Sequence, residues 1–336
     1  MGYQIRNEKK NKRTRLADVA PLPAPYVIFL EPSGVCNFKC SFCPCNNNTQ
    51  NISRRHQLMD MSLFEKIVRD IMQFPRNIRV VELYAFGEPM LNRYVPEMIK
   101  KLKESGKVDE VRMATNGSLL NTESSHRLID AGLDYLKISL EGMDVETYKN
   151  MCDVDIDWNQ FVDTIQSFFI ASRGSKTKLG IKAISNTLKT DDEKQRFLDV
   201  FSPISDYTFI ETVYDQWAEF VEMRYVGGVE VKDAFTQKTA GYDICSFPLT
   251  HMLVCANGDI GLCCLDWKHG TTYANVHEIS LYDAWNSDAL KEIRIKHLDH
   301  RRNEVPFCCS CTQRGYDNVD DDSDLLLSKI KMRTGA

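Results

Sequence analysis

The stretch YVIFLEPSGVCNFKCSFC, residues 26–43, joins a short apolar run at 26–30 to a loop that carries Cys36, Cys40 and Cys43. The run is rich in β-branched and aromatic residues and reads as a strand. The loop is a C-x3-C-x2-C array, whose three thiolates can cap three irons of a cubane and leave the fourth iron open to another ligand. A zinc site is the competing reading, with Cys45 available as fourth ligand and a loosely compatible spacing. The order of the spacers, the aromatic Phe42 just before Cys43 and the position after a first strand favour the cluster.

Outward from this loop the chain alternates strand-like and helix-like segments. Strands are expected at 26–30, 80–84, 111–115, 135–140, 180–184 and 207–211. Between them, Ser62 and Glu65 read as a capping box ahead of Phe64, Ile67, Val68 and Ile71, and Pro75 ends that helix. Pro96 stands near the first turn of the next helix and Gly106 just past its end, and a later helix aligns Phe161, Ile165, Phe168 and Phe169 before Gly174. Six β/α units predict an α/β fold, a partial TIM-like (β/α)6 barrel with its functional groups on loops at the C-terminal strand ends. After Glu211 the alternation stops, so the boundary to a small cysteine-rich domain is expected between Trp217 and Asp243. This gives a basic flexible tail at 1–25, the barrel at 26–216 and the second domain at 217–336.

The composition is that of an ordinary folded chain of 336 residues with a net charge of -5. Arg6, Lys9, Lys10, Lys12, Arg13 and Arg15 read as a solvated arm, and the global charge argues against a nucleic-acid partner. No run of about 18 apolar residues is present to span a membrane, and the charged N-terminus does not read as a signal peptide, so a cytoplasmic protein is expected. Twelve cysteines in such a compartment point to metal or catalytic chemistry rather than to disulfides.

Cys36, Cys40 and Cys43 with Phe42 resemble the signature of the radical S-adenosylmethionine superfamily. In that family the open iron is chelated by the methionine part of the cosubstrate, and one electron from the cluster yields a 5′-deoxyadenosyl radical that abstracts hydrogen from substrate. Ala85-Phe86-Gly87-Glu88-Pro89 resembles the family's Gly-Gly-Glu motif, with Phe86 in place of the first glycine. The resemblance makes Glu88, beside Gly87, the partner of the methionine amine. Asn116 and Ser139, at the ends of the third and fourth strands, become candidates for the ribose or carboxylate, although Asn-Gly is also a common turn and Ser-x-Glu-Gly a helix cap. Lys182 on the fifth strand is a candidate for the methionine carboxylate. An external one-electron donor such as flavodoxin or ferredoxin is implied.

The C-terminal cysteines form a C-x12-G-x4-C segment from Cys245 to Cys263, with Asn257-Gly258 as the turn of a β-hairpin, followed by a helical stretch and Cys308-Cys309-Ser310-Cys311. This resembles the SPASM extension or its shortened twitch form. No cysteine follows Cys311, which implies one auxiliary 4Fe-4S cluster on Cys245, Cys263, Cys308 and Cys311. A four-cysteine zinc site is the alternative. Cys255, Cys264 and Cys309 are spare thiols, with Cys309 the first exchange candidate.

Cys152, four residues after Tyr148, is a candidate hydrogen donor in an epimerase, set against the ordinary role of a free cysteine as a small buried hydrophobe. Twitch-type dehydrogenases of aminocyclitols and related sugar epimerases are the similar enzymes. Only 25 residues precede the first strand, against about 80 for the leader-binding domain of peptide-modifying relatives. A small or carrier-linked sugar is therefore expected, with Val213-Tyr214-Asp215-Gln216-Trp217 placed to meet it. A maturase of peptide side chains and a non-catalytic iron-sulfur or zinc module are the other readings.

Overall fold

A computed structural model describes residues 16–44, 57–211, 225–226, 229–230 and 245–311. The basic residues of the N-terminal arm, Cys45, the 213–217 segment and most of the expected domain boundary lie outside the described residues.

Six parallel strands follow one another in sequence order: β1 (Val27–Leu30), β2 (Ile78–Leu83), β3 (Val108–Thr115), β4 (Tyr135–Leu140), β5 (Lys178–Ile184) and β6 (Tyr207–Glu211). Strict alternation drives them. On β4, Leu136, Ile138 and Leu140 are fully buried on the helical side, while Tyr135, Lys137 and Ser139 face the other way. The covering helices are α2 (Met61–Met72), α3 (Val95–Glu104), α4 (Thr122–Asp130), α5 (Val145–Cys152), α6 (Trp158–Ser172) and α7 (Asp191–Phe201). The longer ones bury an apolar face: α2 buries Leu63, Phe64, Ile67 and Ile71, and α6 buries Phe161, Ile165 and Phe168. Each fully buried side chain of this kind contributes about 1.5–3 kcal/mol. The result is a partial (β/α)6 barrel.

Three features depart from the sequence reading. The cap of α2 is Asp60 rather than a Ser62/Glu65 box; its carboxylate accepts from the Leu63 N–H at 2.9 Å and from the Ser62 hydroxyl at 2.6 Å. Several of residues 16–25, grouped above with the tail, are packed. A short helix, α1 (Leu16–Val19), leads into buried Ala20, Leu22 and Ala24, and the Trp285 indole donates to the Leu22 carbonyl at 2.9 Å. This stretch is apolar enough to gain by burial.

The third departure concerns the C-terminal hairpin, which extends the barrel's sheet. A short antiparallel pair, β7 (Tyr225–Val226) and β8 (Val229–Glu230), stands apart from that sheet. After the one-turn helix α8 (Phe247–Thr250), β9 (His251–Val254) turns through Gly258, at φ +86°, into β10 (Asp259–Gly261), which pairs with β11 (Ala274–Asn275). β9 also pairs in parallel with β1, so the order is β11-β10-β9-β1-β2-β3-β4-β5-β6. Then α9 (Leu281–Trp285) and α10 (Asp288–Leu298) return to the barrel, where buried Asp70 of α2 accepts from the Leu281 N–H at 3.2 Å.

Candidate functional site

The loop after β1 is held from below by α5. Tyr148, Met151 and Cys152 form the buried face of that helix, and Asp153, in the left-handed conformation at φ 54°, ends it with two carbonyls turned outward. The Lys39 N–H donates to the Cys152 carbonyl at 2.9 Å and the Ser41 N–H to the Met151 carbonyl at 2.8 Å. Cys43 N–H closes a turn on the Cys40 carbonyl at 3.0 Å. Phe38 packs edge-on to Tyr148, and Phe42 lies half-buried against the core. Cys36, Cys40 and Cys43 thus sit on one braced loop at the barrel mouth.

Cys152 does not face that mouth. It is fully buried behind the loop, with its sulfur 3.5 Å from that of Cys40. That hydrogen bond, with burial, holds the Cys40 thiol well above its ordinary range. A hydrogen donor must reach a substrate carbon, and Cys152 is packed on the wrong side of the loop. Of the two roles the sequence left open, this burial fits packing.

The loop after β2 is pressed against the cysteine loop. A Cβ at Gly87 would collide with the carbonyl oxygens of Ser33 and Val35, and the Glu88 N–H donates to the Val35 carbonyl at 2.8 Å. The Glu88 carboxylate, expected to hold an amine, is buried and turned onto β3. It accepts from the Thr115 hydroxyl at 2.7 Å, the Asn116 N–H at 2.8 Å and the Met90 N–H at 3.0 Å. Burial raises its pKa, and these three donors work against the rise. With three donors on its two oxygens, the carboxylate braces the strand ends. The backbone carbonyls of 85–87 are left as the groups suited to an ammonium.

Asn116 meets the cysteine loop directly. Its amide donates to Asn37 Oδ1 at 2.9 Å and lies 4.0 Å from the Cys36 sulfur, while its oxygen accepts from Ser118 Oγ at 2.7 Å. Asn37 donates in turn to Ser118 Oγ at 2.9 Å. Asn37 was missed in the sequence because nothing there pairs it with Asn116. Ser139 lies on the inward side of β4, in register with Lys182, whose ammonium is 2.7 Å from Glu211.

A second centre lies beneath the hairpin. Cys245, Cys263, Cys308 and Cys311 line one small cavity, walled by Phe247, Pro248, Leu262, Leu265 and Phe307, with His297 and Arg302 among the lining residues. Buried Arg302 donates to the Cys311 carbonyl at 2.7 Å, and the Leu265 N–H points at the Cys263 sulfur at 3.3 Å. Burial pushes the Cys308 thiol up to about 12. The three spare thiols are not in this wall: Cys255 is buried 3.7 Å from His269 Nε2, and Cys309 is exposed. Sulfurs around a tetrahedral zinc stand about 3.8 Å apart. Among the described residues no three His, Cys, Asp or Glu side chains converge closely enough to hold a single ion. Thiols spread around an apolar cavity fit a cubane better, since its four irons, not one atom, meet the ligands.

Residues 30–182 match the family described as the Radical SAM superfamily, and residues 245–312 match SPASM, described as an iron-sulfur cluster-binding domain; together they cover more than half of the chain. A probable GTP 3′,8-cyclase of Sulfolobus acidocaldarius is 40% identical over 121 residues, which are 36% of this chain and 36% of that protein. Another, of Methanococcus maripaludis, is 32% identical over 116 residues, 34% of this chain and 36% of the relative. The chain thus spans about a third of the length of the curated relatives it matches. Among solved structures, BtrN in complex with AdoMet and 2-DOIA superposes with a TM-score of 0.56 at 13% identity, over 89% of this chain and 98% of that one. Native anSMEcpe with bound AdoMet gives 0.60 at 13%, over 91% and 97%. Streptococcus suis SuiB bound to S-adenosylmethionine gives 0.61 at 17%, over 86% and 72%. At these identities the likeness is one of fold. No helix among the described residues is long and apolar enough to cross a membrane.

Proposed function

The chain belongs to the radical SAM superfamily and carries its SPASM extension, and from that premise we propose that it oxidises a small polar substrate, of carbohydrate or aminocyclitol type, by hydrogen abstraction inside the barrel. Its cofactors are S-adenosylmethionine, the 4Fe-4S cluster that binds it, and an auxiliary 4Fe-4S cluster. When bound, these groups supply the electron that breaks the sulfonium, the radical that takes the hydrogen and a second redox centre.

The residues divide the remaining work. Cys36, Cys40 and Cys43 would hold the first cluster, on a loop that α5 keeps in place. The backbone of 85–87 would receive the methionine ammonium, with Glu88 fixing its distance from β3. Asn116 and Ser139 are close enough to the mouth to meet ribose or carboxylate. Cys245, Cys263, Cys308 and Cys311 would hold the auxiliary cluster, and the apolar wall excludes water from it.

The observation that carries the choice of oxidation over epimerisation is the burial of Cys152 behind the cysteine loop. It sets the thiol that the sequence offered as hydrogen donor away from the mouth, which favours oxidation. The likeness to GTP 3′,8-cyclases favours a second reading, an intramolecular rearrangement of a nucleotide. Mass spectrometry separates the two. With dithionite, S-adenosylmethionine and a panel of sugars, aminocyclitols and nucleotides under anaerobic conditions, oxidation gives a product two hydrogens lighter, and rearrangement gives an isomer. If no member of a broad panel transfers deuterium from carbon to 5′-deoxyadenosine, the substrate class is wrong.

A further inference from the structure

A barrel interior that serves only as core is filled by branched apolar side chains. Here the inward row carries charged side chains, and among the described residues Lys137 is the inward cation without an ion pair. Arg112 of β3 reaches Glu110 at 2.6 Å and Glu82 at 3.7 Å, and Lys182 of β5 reaches Glu211 at 2.7 Å. Lys137 of β4 reaches none. Among the described residues no carboxylate lies within ion-pair distance of its ammonium, which sits 5.0 Å from the centre of the Tyr84 ring.

The register places Lys182 opposite Ser139, with Lys137 two residues earlier on the adjoining strand. Diagonal neighbours of this kind stand on the order of 7 Å apart at the backbone, so the two ammonium groups flank one volume. A largely desolvated cation without a direct ion pair is unfavourable, and such a residue is a candidate for a functional role. Burial, then the charge of Lys182, lowers the Lys137 pKa from its ordinary value. Glu82 and Glu211 oppose that lowering, but only from beyond ion-pair distance, so the ammonium has no direct partner among the described residues.

We propose that Lys137 and Lys182 form an anion subsite inside the barrel, and that the substrate carries a phosphate or carboxylate group that settles there. The inference rests on the reading of the chain as a radical enzyme with its substrate in the barrel, and it narrows that substrate class. A sugar linked to a nucleotide fits; a neutral sugar or an unmodified, positively charged aminocyclitol does not. Because Glu211 already occupies Lys182, Lys137 is the primary contact. The Tyr84 face beside it offers an apolar surface to the ring that bears the acid group.

The test is calorimetric titration of the reconstituted full chain with pyrophosphate, citrate and UDP-glucose, and with glucose as neutral control. At least one acidic probe binds, and Lys137→Met weakens that binding tenfold or more, while glucose gives no signal that depends on Lys137. Pyrophosphate against citrate separates phosphate from carboxylate. The proposal is overturned if no acidic probe binds, or if the variant binds them as well as the parent does. Formation of 5′-deoxyadenosine by the parent protein in the same preparation tests the underlying reading separately.

Discussion

The sulfur of Cys152 lies 3.5 Å from that of Cys40, and the same residue's carbonyl accepts the Lys39 N–H at 2.9 Å. One residue at the end of α5 therefore supports both the backbone and a ligand candidate of the cysteine loop. Cys152→Ala removes a fully buried sulfur and should destabilise the fold by about 1 kcal/mol, read as a drop of a few degrees in melting temperature. Products should be unchanged in kind. A variant of normal stability whose product changes from inverted to quenched would restore the donor role.

Glu88→Gln places an amide where the Thr115 hydroxyl and the Asn116 and Met90 N–H groups all donate. One of those donors then faces another donor, at a cost of about 1–3 kcal/mol. Thermal melts of the two proteins check this, and equal melting temperatures would mean the carboxylate is no brace.

Much of the barrel was legible because its signals are local. The strands at 135–140 and 207–211 begin and end where alternation does, and Gly106 and Gly174 sit at positive φ just past their helices. Gly258 turned the hairpin as expected. What escaped was non-local. The parallel pairing of β9 with β1 joins residues more than two hundred positions apart, and no spacing announces it. Cys152 looked available because it follows the fourth strand, and only the docking of α5 shows which way its sulfur points. Lys137 and Lys182 both fell within expected strands, but that no described carboxylate lies within ion-pair distance of Lys137 is a fact of three-dimensional arrangement. At α2 the signal was present and misread, since Asp60 outcompetes Ser62 as a cap.

His251 stacks on Phe247 at 4.2 Å and on Phe29 at 5.5 Å, and burial lowers its pKa from 6.5 to about 4. The folded chain therefore binds fewer protons at this site than the unfolded chain between those values, so its contribution to stability declines as pH falls from 6.5 to 4 and is constant above. His251→Phe should show a shallower loss of melting temperature across that window. Parallel curves for the two proteins would place the titration elsewhere.

The cavity under the hairpin makes a ligand-by-ligand forecast. Serine at Cys245, Cys263, Cys308 or Cys311 should reduce the iron bound after anaerobic reconstitution from about eight to about four per chain, the loss of one cubane. Cys309→Ser and Cys255→Ser should keep all of it. Iron retained in the first group and lost in the second would exchange the assignments.

The central claim is that the loop of Cys36, Cys40 and Cys43 holds the cluster that cleaves S-adenosylmethionine. The most direct measurement is 5′-deoxyadenosine formed under anaerobic reduction by the reconstituted chain and by a variant with alanine at all three positions. The parent should form it, and the variant should form none while retaining about four irons at the second site. Cleavage that survives loss of the three cysteines, or a parent that binds zinc and releases no 5′-deoxyadenosine, would contradict the account.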